Sequence, residues 1–96
     1  MAVEFYDLND KSLRDCIFQL YDPDFEKLQS VLAEYKKLTG LSIDQFGDTH
    51  IHEDHVKLIV ELIEESLTNN HHSDLQLLQI KKKFKENIRN LIAIGD

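Results

Sequence analysis

The chain has 96 residues, 42% of them hydrophobic, with 18 acidic against 11 basic side chains and a formal net charge of -7. That length holds one domain and leaves no room for a deep enclosed active-site cavity. The composition is neither that of a disordered chain nor that of a membrane span, and the single cysteine excludes an internal disulfide.

The charge is uneven: residues 1–73 carry 15 acids against 6 bases, and residues 74–96 carry 3 against 5. The acidic part repels nucleic acid and attracts basic protein surfaces, although acidity also serves plain solubility. The start, Met1-Ala2-Val3-Glu4-Phe5-Tyr6-Asp7, lacks the basic opening and apolar core of a signal peptide, so a cytoplasmic location is expected.

Residues 3–8 suit either a short strand or an extended arm. A first helix is expected from Asn9 or Asp10, both good caps, with Leu13, Cys16, Ile17 and Leu20 on one inward face. Cys16 on that stripe would act as a small buried hydrophobe. Asp22-Pro23 marks a second helix start. Its apolar stripe is Phe25, Leu28, Val31, Leu32 and Tyr35; Lys36 and Lys37 suit its last turn, and Gly40 suits the left-handed position beyond it. From Leu41 to Ile51 the pattern alternates around Asp44-Gln45-Phe46-Gly47, which fits a small hairpin or an ordered loop.

A third helix is expected from His52, with Glu53 and Asp54 at its positive end and Val56, Ile59, Val60, Ile63 and Leu67 buried. After the polar break Asn69-Asn70-His71-His72, Ser73 and Gln76 form a capping-box pattern. The last helix should then run from about Asp74 to Ile92, with Leu77, Ile80, Phe84, Ile88 and Leu91 along one face. The sum is an all-α compact bundle of about four helices, with a possible short N-terminal strand.

His50-Ile51-His52-Glu53-Asp54-His55 matches H-x-H-x-D-H, the metal-binding signature of the metallo-β-lactamase superfamily. His50, His52, Asp54 and His55 are therefore weak metal candidates, since imidazole and carboxylate are good zinc ligands. That superfamily needs about twice this length and further distant ligands, so neither a metal nor another cofactor is expected. His71-His72 could complete such a site, or simply form a polar turn. There is no glycine-rich phosphate loop, no C-x-x-C pair and no serine elbow, so the chain is not expected to be an enzyme. Lys81, Lys82, Lys83 and Lys85 spread around the last helix rather than forming one patch.

Glu61, Glu64 and Glu65 stand at i, i+3 and i+4 and crowd one side of the third helix, at an unfavourable spacing for like charges. Glu53 and Asp54 extend this acidic surface, and Asp44 and Asp48 flank it from the loop. Phe46 among these acids is either an anchor for a basic partner or an inward cap on the core.

In length, acidity, helical pattern and the stretch Phe25-Glu26-Lys27-Leu28 through Glu34-Tyr35-Lys36-Lys37-Leu38-Thr39, the chain resembles small bacterial immunity proteins. These are helical inhibitors that neutralise nuclease-type toxins of colicin or contact-dependent growth inhibition systems. The colicin group grips its toxin with a tyrosine pair before a proline; this chain lacks that pair and offers Phe46 instead. The resemblance implies a cognate basic toxin as partner, bound through Asp44, Phe46, Asp48, Glu53, Asp54, Glu61, Glu64 and Glu65, with no nucleic acid or membrane involved. A structural or adaptor helical homodimer is the alternative, which a last helix more apolar than the core can bury would mark; a small metal-binding protein using the His50–His55 cluster is the lesser one.

Overall fold

The computed structural model describes residues 2–10, 12–43, 47–69 and 74–95. In chain order it has β1 (Ala2–Asp7), β2 (Phe18–Tyr21), α1 (Asp22–Thr39), β3 (Asp48–Ile51), α2 (Glu53–Asn69), α3 (Leu75–Lys85) and β4 (Leu91–Ile94). The fold is α+β, not the expected all-α bundle: the strands form one antiparallel sheet in the order β2-β1-β4-β3, and the helices cover one of its faces.

Alternation along each strand separates the two faces. Val3 and Phe5 of β1, Phe18 and Leu20 of β2, Leu91 and Ala93 of β4 and Ile51 of β3 point into the core. There they meet Phe25, Leu28, Val31 and Tyr35 of α1, Val56, Ile59, Val60, Ile63 and Leu67 of α2, and Leu77, Ile80 and Phe84 of α3. Phe5 stacks on Phe18 with ring centroids 4.5 Å apart, and Phe84 meets both rings edge-on, at 5.6 and 5.2 Å. This cluster ties α3 to the centre of the sheet.

The ends of two expected helical stretches are strands instead. No helix forms from Asn9 or Asp10. The Asp10 carboxylate does accept downstream backbone N–H groups, from Arg14 and Asp15, as a cap would. However, Leu13 takes a left-handed conformation, φ 51°, which a right-handed helix cannot continue through. The chain then pairs with β1, where Phe18 and Leu20 reach the core by two-residue alternation. Cys16 consequently lies exposed in the connection rather than on a buried stripe, its thiol 3.3 Å from the Phe18 carbonyl.

The last helix stops at Lys85, not Ile92. The Asn87 side-chain amide donates to the Lys83 carbonyl at 2.7 Å and closes the turn. Leu91–Ile94 then enters the sheet between β1 and β3. Ile88 and Leu91 continue the helical spacing by number, yet they reach the core from different local structures.

α1 and α2 form much as their sequence signals predict. α1 begins with Pro23 in its first turn, and the Asp24 carboxylate accepts the Tyr21 backbone N–H at 2.9 Å. It ends on Gly40 at φ 76°, whose N–H reaches the Lys36 carbonyl at 2.7 Å. Of the hairpin or ordered loop expected over 41–51, residues 44–46 lie outside the described residues, and Asp48–Ile51 is β3, which pairs with β4. The expected Ser73 cap lies outside the described residues. Asp74 caps α3, accepting the Leu77 N–H at 3.1 Å, while Gln76 donates to Asp24 of α1.

Candidate interaction surface

α2 packs against both α1 and α3, which also meet each other, and its outward side carries the acids. Val56, Ile59, Val60, Ile63 and Leu67 face inward, so the helical period leaves Glu61, Glu64 and Glu65 exposed. On the α1 side, Glu65 shares a groove with Glu34, Ser30 and Asn69. On the α3 side, Glu64 shares one with Leu67, Thr68, Leu78 and Lys81. The Lys81 ammonium stands 3.9 Å from Glu64, whereas Glu61 and Glu65 have no ion pair among the described residues. The result is a ridge of carboxylates on α2, joined by Glu34; among the described residues its one ion pair is Lys81–Glu64 on the α3 edge, and exposed Lys57 stands one turn before Glu61. Glu34 was not legible as part of this group, because it sits on another helix and is brought beside Glu65 by packing alone.

The other acids and the loop aromatic divide as follows. Glu53 and Asp54 lie in the first turn of α2, where the positive end of the helix dipole favours them. Glu53 is 4.0 Å from Lys57, and its N–H donates to the Asn90 side-chain oxygen at 2.8 Å. Asp48 is not part of the ridge: Ile51 points to the core, so alternation places Asp48 and His50 on the opposite, helix-free face of the sheet. Asp44 and Phe46 lie outside the described residues, as do His71 and His72.

The histidine motif is taken apart by the same geometry. His50 points from the open sheet face, where it pairs across with Ile92. His52 sits at the start of α2; its carbonyl accepts the His55 and Val56 N–H groups, and its Nδ1 accepts from Asp54 N–H at 3.2 Å. His55 turns to α1, its Nδ1 3.1 Å from the hydroxyl of the buried Tyr35, with the two rings edge to face. Among the described residues no group of three or more His, Cys, Asp or Glu side chains is placed to hold a metal ion.

α3 contributes a second exposed feature. Its lysines splay: Lys81 goes to Glu64, Lys82 lies 3.8 Å from Glu86, and Lys83 donates to the Gln19 carbonyl at 3.1 Å, on edge strand β2. Lys85 is exposed with no ion pair among the described residues. Leu75 and Leu78 fall off the buried stripe and are 72% and 36% exposed. The open sheet face is more closed than it first appears. Tyr6 is buried there and donates to the Glu4 carboxylate; that bond, with burial, pushes its pKa up to about 12.

No helix among the described residues is long and apolar enough to cross a membrane. A scan against protein-family models and searches against curated proteins and solved structures returned no match.

Proposed function

We propose that the protein is a non-enzymatic, cytoplasmic binding protein that neutralises a cognate basic, nuclease-like toxin by covering its nucleic-acid site with the α2 ridge. The observation that carries this reading is the grouping of Glu61, Glu64 and Glu65 with Glu34 on one exposed face, where Lys81 is the neighbouring cation. Like charges held together at i, i+3 and i+4 spacing cost an isolated helix stability, and a basic partner relieves that repulsion. The α+β fold removes the helical-bundle part of the likeness to immunity proteins. Size, acidity and the carboxylate face remain in its support.

The acids divide in this role. Glu61, Glu65 and Glu34 supply field and contact, Glu64 does so after exchanging Lys81, and Glu53 and Asp54 extend the field along the helix. The test is affinity capture from the native host with two baits in parallel, wild type and Glu61→Lys/Glu65→Lys, eluted in a salt gradient. A stoichiometric basic protein on the wild-type bait, released by moderate salt and missing from the reversed bait, is the expected result. The same proteins on both baits would end the proposal.

The adaptor-homodimer reading is favoured by one observation, the exposure of Leu75 and Leu78 on α3.

A further inference from the structure

The outer side of the helical layer carries two unlike stripes side by side. One is the α2 ridge. The other is the exposed side of α3, where Leu75, Leu78, Lys82 and Lys85 recur at helical spacing within about a quarter of the helix circumference. One stripe is acidic and the other is cationic and apolar, so the face is complementary to a copy of itself. We propose that this face joins two copies of the chain, α3 of each lying on α2 of the other about a two-fold axis that runs along the α2/α3 groove.

The register supports this arrangement. Within one copy, the Lys81–Glu64 contact fixes which residues of α2 and α3 are level. The helices run antiparallel, since Leu78 shares the same groove with Leu67 and Thr68. At about 1.5 Å of rise per residue, Lys85 is then level with Glu61, Lys82 with Glu64, and Leu78 with Leu67. A two-fold axis parallel to the helices exchanges α2 and α3 without changing height. Lys85 therefore faces Glu61 of the second copy, Lys82 faces its Glu64 and Glu65, and Leu78 meets the Leu67–Thr68 groove. Each contact occurs twice, as in a closed two-fold dimer. Lys82 exchanges its exposed 3.8 Å pairing with Glu86 for this one.

The face is about 16 Å long, the length of α3, and about two helix diameters wide. That is below the roughly 800 Å² per partner of a standard stable interface, so the association is weak and concentration-dependent. It is read from the chain's own charges and does not rest on the toxin reading. Where both hold, the second copy and the basic partner compete for the ridge.

Sedimentation velocity of the purified chain alone, over roughly 10 µM to 1 mM, tests the proposal. The wild type is expected to pass from monomer to dimer across that range. Lys82→Glu/Lys85→Glu and Glu61→Lys/Glu65→Lys should each remain monomeric and keep the wild-type circular dichroism spectrum, since all four positions are exposed. Mixed in equal amounts, the two variants should associate with each other at least tenfold more tightly than either does with itself. A monomeric wild type throughout, or a dimer that both reversals leave unchanged, would overturn it; so would variants that do not recombine.

Discussion

Asp74 joins two helices through one carboxylate. It caps α3 through the Leu77 N–H and holds the Lys27 ammonium of α1 at 2.9 Å. The Lys27 bond, followed by the Leu77 N–H, holds its pKa below the usual carboxylate value. A depressed folded-state pKa means the stabilisation is complete above the unfolded value of 3.8 and is lost as pH falls through the folded one. Asp74→Ala should therefore lower the melting temperature at neutral pH. The gap to wild type should narrow as the pH is lowered beyond 3.8 and through the folded-state value. A gap that persists in acid would mean that the substitution damages packing instead. His52 and His55 show the same economy at this scale, one ordering the start of α2 and the other meeting Tyr35 across the α1–α2 interface. In the sequence, a run of histidines and acids at metal-ligand spacing cannot be told from a helix start. The spacing does not say which of them point the same way.

At the scale of elements, β4 decides the fold. It lies inside the sheet, paired to β1 on one side and β3 on the other. Deleting residues 91–96 would leave β3 without a partner and open β1, so the shortened chain should lose its cooperative unfolding transition. Retention of a sharp transition would contradict the central place of this strand. The helices α1 and α2 were legible because Pro23, Gly40, Glu53 and Asp54 punctuate them locally. β2 and β4 were not, for a physical reason: four-residue strands such as Phe18–Tyr21 and Leu91–Ile94 are shorter than a helical repeat can be tested over, and their partners are distant in sequence. Leu91 extends the α3 stripe by number, and Leu20 extends the Leu13–Ile17 stripe in the same way. Strand pairing with β1 overrode both.

At the scale of the whole molecule, the sheet buries one face under the three helices, whose outer sides meet solvent, so charge placed on the outer side of α2 is charge on an outer surface. The carboxylate grouping of Glu61, Glu64 and Glu65 could be read directly from helical spacing. The addition of Glu34 and the removal of Asp48 to the far face could not, because both follow from tertiary packing. Most cations of the last helix are met locally: Lys81 offsets Glu64, Lys83 donates to the β2 edge and Lys82 pairs with Glu86, which leaves Lys85 exposed with no ion pair among the described residues.

The most direct test of the acidic ridge is the association rate constant of the captured basic partner, measured by stopped flow with wild type and with Glu61→Lys/Glu65→Lys at low and high salt. Electrostatic steering by the ridge predicts at least a tenfold slower association for the variant at low salt, with the difference shrinking as salt screens the field. Equal association rates for the two proteins at low salt would contradict a role for the α2 carboxylates in partner recognition.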